Sequence, residues 1–325
     1  MDMLSRLIDL ARPQASLDLR CLLSGGFDID HAPMETGIAP FHLVLGGACL
    51  IETTGGGEVA LRAGDFVLFP HGAAHRVRNV ARSSATAPLT LSHDGMLPVR
   101  RNDGHDSNNG DTGNAPAAQP DVDLLCGRFV HSPGSSALLL NALPDPFHVS
   151  LGNAQALGPL QTVIALMRAE AEHRQPGALA IVTALSHALF AMALRVHGEQ
   201  NASTSGVLTL LADARLGASV QSMLSAPERA WTIAELGDLA AMSRATYARH
   251  FNERAGMTVM DFLTQIRMTI ACDLLLRTQR SAAEIGEMVG YQSEAAFGKA
   301  FQQSIGDTPG RYRRRPQEGE AAQGE

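Results

Sequence analysis

Two stretches near the end of the chain decide its fold. They are Trp231-Thr-Ile-Ala-Glu-Leu-Gly-Asp-Leu-Ala-Ala-Met-Ser-Arg-Ala-Thr-Tyr-Ala-Arg-His-Phe251 and Ser281-Ala-Ala-Glu-Ile-Gly-Glu-Met-Val-Gly-Tyr-Gln-Ser-Glu-Ala-Ala-Phe-Gly-Lys-Ala-Phe301. They are two copies of one pattern. Thr232 answers to Ser281, Glu235 to Glu284 and Gly237 to Gly286; after one inserted residue, Ser243 answers to Ser293, Tyr247 to Phe297 and Phe251 to Phe301.

Each copy opens with a capping box, Thr232-x-x-Glu235 or Ser281-x-x-Glu284. Ile233, Leu236 and Ala240, like Ile285, Met288 and Val289, then fall on one helical face. A break follows at Ala241-Met242 and at Gly290-Tyr291. Ser243 and Ser293 can cap a second helix, whose aromatics at i, i+4 face inward. Helix, tight turn and capped helix is the helix-turn-helix pattern, whose second helix enters the DNA major groove. Between the copies, Val259, Phe262, Leu263, Ile266, Ile270 and Leu274 keep helical spacing. A connector of roughly 20 residues spans roughly 30 Å, close to the ~34 Å between successive major-groove faces on one side of B-DNA. One chain can therefore hold two recognition helices in adjacent grooves.

This segment, from about Leu216 to Arg315, resembles the DNA-binding domain of the AraC/XylS transcription regulators. Its closing Gly306-Asp-Thr-Pro-Gly-Arg-Tyr-Arg313 is specific to that family. The resemblance implies double-stranded DNA as partner, contacted through the exposed faces of the two second helices. Carried onto this chain, those faces offer Arg244, Ala245, Ala248 and Arg249, then Glu294, Ala295, Gly298 and Lys299.

Bulk numbers fit a localised contact. The 325 residues allow two domains, and the net charge is −7. From Arg215 to Pro316, however, there are 13 basic and 10 acidic residues. A mildly basic module on an acidic body suits local phosphate contact. No signal peptide opens the chain and no stretch reads as long enough to span a bilayer, so a cytoplasmic protein is expected, with no membrane partner. Four cysteines in a reducing compartment are not expected to form structural disulfides.

From Leu17 to about Val80, short apolar runs alternate with glycine clusters, the texture of a small antiparallel barrel. Gly64-Asp-Phe-Val-Leu-Phe-Pro70-His-Gly72-Ala-Ala-His75-Arg-Val-Arg-Asn79 matches G-x5-P-x-G-x2-H-x3-N at every defined position and resembles the second cupin motif. The first motif is defective: His42 stands alone, with Val44 where a second histidine belongs and no glutamate following. This argues against a metal-dependent enzyme, such as a cupin dioxygenase or isomerase, which is the alternative reading.

The expected fold is therefore α+β and multidomain: an N-terminal cupin-like β-barrel followed by an all-α double helix-turn-helix domain. Residues 1–150 are read as an effector or sensor domain, with 81–120 a disordered insert. Residues 151–200 are read as a helical linker suited to a homodimer, 206–316 as the DNA-binding domain and 317–325 as a disordered tail. The expected function is sequence-specific transcription regulation without catalysis, with RNA polymerase as a partner if the protein is an activator.

The N-terminal Met-Asp-x-Leu-Ser-Arg-Leu, Cys21 and Leu-Cys126-Gly further resemble the reactive-chlorine-responsive branch of that family. The resemblance implies Cys21 and Cys126 as a sensing pair, one thiolate attacking the oxidant and the second thiol closing a disulfide. By strand alternation Arg20 points away from Cys21, while Arg128 shares a face with Cys126. Cys49 and Cys272 read as core. The same atoms leave another reading open, since Cys21, His42, His75 and Cys126 could converge as an S₂N₂ metal site.

Overall fold

The computed structural model describes residues 2–81, 88–93, 96–102, 120–150, 158–200 and 206–314. In chain order its elements begin with α1 (Met3–Ala11), β1 (Gln14–Leu23), β2 (Asp28–His31), β3 (Ile38–Thr53), β4 (Glu58–Arg62) and β5 (Asp65–Leu68). Then come β6 (His75–Asn79), β7 (Thr90–His93), β8 (Pro98–Arg101), β9 (Val122–Val130), α2 (Pro133–Leu140) and β10 (Phe147–Ser150). The helices α3 (Gly158–His173), α4 (Ala178–Gln200), α5 (Thr209–Ala212), α6 (Gly217–Ser225), α7 (Ile233–Leu239) and α8 (Arg244–Ala255) follow. The last are α9 (Val259–Arg277), α10 (Ala282–Met288) and α11 (Glu294–Ile305).

These elements fall into two compact units. One gathers residues 14–130 and 143–196; the other gathers 1–13, 131–142 and 197–325. The division therefore does not run at residue 150. Short helices at the start of the chain and just after β9 belong with the DNA-reading helices: α1 packs on α2, and α2 packs along α9.

In the first unit, β3 organises a curled cupin-like sheet. Its first half pairs with β9 and β5, its second half with β4 and β6. A register shift between Val44 and Gly46 marks the bend that lets one strand serve both sets of neighbours. β1 lies antiparallel to β9 on the far side, and β2 extends β6. Cys21, Phe27, Val44, Cys49, Val67, Phe69 and Cys126 sit in the interior cluster.

The expected insert over 81–120 is corrected in part. Residues 90–93 and 98–101 are β7 and β8, and β8 pairs parallel to β1 with Cys21 opposite Arg100. The polar composition around it hid a strand that pairs with β1 and buries Val99, with Met96 and Leu97 buried just before it. Residues 82–87, 94–95 and 103–119 lie outside the described residues, as does the expected disordered tail.

Two helices cover the sheet. Phe190 on α4 meets Phe129 with ring centroids 4.9 Å apart. The Ala15 N–H donates to Nε2 of His187 at 3.2 Å. Among the described helices α4 alone is long and apolar enough to cross a bilayer, which corrects the expectation that no such stretch exists; here Val182, Leu189, Phe190 and Ala193 are buried in the unit. Arg20 does point away from Cys21, and forks onto Asp123 at 2.9 and 2.8 Å while donating to the Ala171 carbonyl at 2.7 Å. Both charges are buried, so removing one strands the other. Asp123→Ala should cost roughly 3–5 kcal/mol in chemical denaturation followed by a probe in this unit.

The second unit builds both sequence copies as helix-turn-helix units. The two capping boxes form: Thr232 N–H donates to Glu235 at 2.9 Å and Ser281 N–H to Glu284 at 2.7 Å, with the reciprocal bonds at 3.2 Å in each. Ser243 and Ser293 cap α8 and α11. Gly237 faces Tyr247 and Gly286 faces Phe297, so each first helix seats closely on its recognition helix. Met288 is the exception to the expected face, lying 41% exposed.

α9 is buried on two faces. Phe262 meets Phe251 from the first copy at 5.5 Å. Met268, Cys272 and Leu275 share a core with Phe297 and Phe301 from the second. Tyr312 lies against Phe301, and Arg313 donates to the carbonyls of Leu275 and Arg280, which fastens the closing motif to the connector.

The turn of the second copy is also tied to the first. Arg267 on α9 donates to the carbonyls of Pro227 and Arg229 at 2.8 and 3.0 Å. Gly290 has φ +87°, and a Cβ there would stand 2.4 Å from the Glu228 carbonyl oxygen. Gly290→Ala should destabilise this unit by about 2 kcal/mol or more, because left-handed backbone alone costs an L-residue roughly 1–2 kcal/mol. Thermal or urea unfolding read by helical circular dichroism measures it.

Candidate functional site

The first candidate surface is the pair of recognition helices. In α8, Tyr247 and Phe251 are buried while Arg244, Ala245 and Arg249 are exposed and Ala248 half-buried. In α11, Phe297 and Phe301 are buried while Glu294, Ala295 and Lys299 are exposed and Gly298 half-buried. The two faces thus show the same order of exposure. Arg249 is held only loosely, 3.9 Å from Glu253 one turn on, with three-quarters of its side chain exposed. Such a guanidinium is free to exchange a weak surface pair for a phosphate or a base edge.

The second site lies inside the curled sheet, where register brings distant residues together. His42 on β3 stands opposite Cys126 on β9, and His31 on β2 stands opposite His75 on β6. Cys21 is displaced two residues diagonally from Cys126, since its own partner is Leu124 and that of Cys126 is Leu19. The two thiols are nonetheless within hydrogen-bonding reach of each other.

A chain of hydrogen bonds links these groups. Nδ1 of His75 donates to the Ala73 carbonyl at 2.9 Å, so its Nε2 presents a bare lone pair. Nε2 of His42 lies 2.7 Å from that lone pair and carries the proton between them. Nδ1 of His42 is then the acceptor, and Sγ of Cys126 lies 3.1 Å from it. Below, the ring of His75 stacks on Phe69 at 3.8 Å; above, His31 stacks on His75 at 4.7 Å.

Burial shapes the charges. Desolvation holds His42 well below the usual histidine range and also lowers His75. Burial, with His75 and Arg100 nearby, brings His31 to about 4. The thiols are pushed apart. The hydrogen bond with Cys126 lowers Cys21 most, against the opposing effect of burial, and Arg100 lowers it further. Cys126 is raised by the same contact and by burial. Arg100, paired opposite Cys21 on β8, favours the Cys21 thiolate. Cys49 is pushed up to about 12 by burial, as befits a core thiol, and Cys272 is fully buried.

The sequence placed Cys21, Cys126, His42 and His75 in one site, and the structure brings them together. It missed His31 and Arg100, whose proximity depends on strand register that no local pattern announces. Arg128, expected beside Cys126, instead pairs with Asp18 at 3.2 Å and lies 40% exposed. The cation acting on the thiols is Arg100. The S₂N₂ arrangement is also corrected. His42 turns one nitrogen to Cys126 and the other to His75, on opposite sides of its ring, so the four atoms do not converge on one ion.

Since Arg100 favours the Cys21 thiolate, Arg100→Ala should slow alkylation of Cys21 near neutral pH, as quantified by mass spectrometry of the modified peptide. An unchanged rate would remove Arg100 from the account.

A cupin family model matches residues 2–199, and a helix-turn-helix domain model matches residues 236–315. An uncharacterized HTH-type transcriptional regulator of Haemophilus influenzae is 32% identical over 97% of this chain and 99% of its own. The RCS-specific HTH-type transcriptional activator RclR of Escherichia coli is 30% identical over 97% of this chain and 98% of its own. The HTH-type transcriptional regulator MtrA of Neisseria gonorrhoeae is 31% identical over 97% and 98% respectively. With its paired, capped recognition helices and its curled cupin sheet, the chain belongs to the AraC-type helix-turn-helix transcriptional regulators that carry an N-terminal cupin domain.

Proposed function

We propose that this DNA-binding regulator is a thiol switch, responding to a small oxidant through Cys21 and Cys126 and acting as a transcriptional activator. The observation that carries the reading is the contact of two unequal thiols beside Arg100 and His42. The likeness to the E. coli relative, an RCS-specific activator, supports it.

The chemistry fits a small neutral oxidant such as hypochlorous acid, because both sulfurs are buried. The Cys21 thiolate takes the chlorine as a sulfenyl chloride and hydroxide leaves. The Cys126 sulfur then attacks Cys21, chloride departs, and the thiol proton passes to the hydroxide. One disulfide, chloride and water result. His42 accepts from the Cys126 thiol in the resting state and orients it for this attack. No turnover of a metabolite is assigned to the site, in keeping with the defective first cupin motif.

On the output side, Arg244, Ala245, Ala248 and Arg249 of α8 and Glu294, Ala295 and Lys299 of α11 would face DNA. An activator would also touch RNA polymerase. Leu166 on α3, with Leu179 and Ile181 on α4, are 43%, 43% and 40% exposed, and a second copy of the chain would cover them. A chromosome-bound regulator works in the cytoplasm.

Two experiments test the reading. Arg249→Ala should weaken binding of a selected DNA site by about 1–3 kcal/mol if it reads a guanine. Equal affinity and equal sequence preference would refute the recognition face. Mass mapping after mild hypochlorous acid should find an intramolecular Cys21–Cys126 disulfide. A full transcriptional response to oxidant in both Cys21→Ser and Cys126→Ser would sink the switch.

A further inference from the structure

We infer that His31, His42 and His75 form a three-nitrogen site for a divalent d-block cation of the zinc type, with Cys126 orienting His42 from the other side of its ring. One ligand atom from each histidine lies within 4.8 Å of the other two. The assignment does not depend on the thiol switch, since it concerns the opposite edge of His42.

Two features favour a built site over a packed aromatic cluster. The ring of His75 is already turned for a ligand: its Nδ1–H is anchored on the Ala73 carbonyl, so Nε2 points inward unprotonated. Metal-bound histidines commonly have their second nitrogen held by such a carbonyl. His42 also has a partner on Nδ1, the Sγ of Cys126, and directs Nε2 at the cluster, though in the metal-free line that Nε2 carries the proton. A cation at Nε2 moves the ring proton of His42 to Nδ1, where the Cys126 sulfur can accept it. No proton need remain trapped between two nitrogens.

The geometry requires a small rearrangement, since the separations run from 2.7 Å to within 4.8 Å. Nε2 of His42 and Nε2 of His75 are 2.7 Å apart, whereas tetrahedral ligands at a Zn–N distance of 2.0–2.1 Å stand about 3.3 Å from each other. His31 is half-buried on the short strand β2, so it has room to yield. A depression lined by Asp30, Glu52, Thr53, His75 and Arg76 reaches the cluster from solvent and gives an ion a way in. Asp30 favours positive charge on His31, Asp145 does so on His75, and Arg100 opposes it. Three imidazoles leave one position for water or another small ligand, the donor set of an open rather than a closed zinc site. Neither cupin motif contains His31, so this set replaces the missing ligands of the first motif with one from a neighbouring strand.

Cobalt titration of the chelator-treated, reduced full-length protein tests the inference. The expected result is one equivalent of Co²⁺ with visible bands of tetrahedral type, displaced by Zn²⁺. His31→Ala and His31→Asn should each lose at least tenfold in affinity while keeping the native circular dichroism spectrum. Cys126→Ala should keep the nitrogen-only spectrum and bind about 10–100-fold more weakly. No saturable site in the wild type, wild-type affinity in both His31 variants, or a near-ultraviolet thiolate-to-cobalt band would each overturn the three-histidine site. DNA binding by the same preparation, measured separately, shows whether the regulator reading stands when the metal reading fails.

Discussion

A single helix buried on two sides fixes the geometry of DNA reading. α9 has Phe251 and the first copy against one face, and Phe297 and Phe301 against another. Each copy alone has too little apolar surface for a core, so both complete theirs on the shared connector. The spacing of the recognition helices is then a property of a rod of 19 residues, about 28 Å long. Arg267 and Gly290 add a second tie, running from that rod to the loop before the first copy and the turn of the second. Two reading heads with two connections between them cannot be reoriented independently.

The cupin unit solves a different problem, that of keeping polar groups inside a small sheet. Arg20 and Asp123 manage it by mutual fork-like pairing. The histidines and thiols manage it by forming a line in which each group meets the next. The loss of the family's usual ligands around His42 did not make the interior apolar. It left a polar interior supplied from other strands, by His31 from β2 and Arg100 from β8.

What could be read in the sequence was what is local. Capping boxes, the serine caps of α8 and α11 and the aromatic pairs are fixed by offsets of three and four residues, and each was legible. The second cupin motif was legible for the same reason, since its glycines, proline and His75 act within one turn. His31 and Arg100 were not. β2 has only four residues, and β8 follows a polar segment without strand texture. Both enter the site through pairing with strands far away in the chain, and pairing register leaves no mark on a short segment. The diagonal placement of Cys21 and Cys126 was hidden likewise, because it depends on the irregularity between Leu17 and Leu19.

The hydrogen-bonded line through His42 also has a direction. A neutral imidazole has one proton for two nitrogens, and a thiol has one proton for all its neighbours. With the His42 proton on Nε2, the ring accepts from Cys126, and the Cys126 proton is committed to it. With the proton on Nδ1, which requires a cation between the otherwise bare Nε2 atoms of His42 and His75, the ring donates to the Cys126 sulfur, and that thiol's own proton is released to Cys21. The tautomer of one buried histidine thus selects which way the line points, and with it whether the Cys21 sulfur meets a donor or a bare lone pair. The interior of the sheet can hold one bit of information in what stands between two ring nitrogens, a proton or a cation.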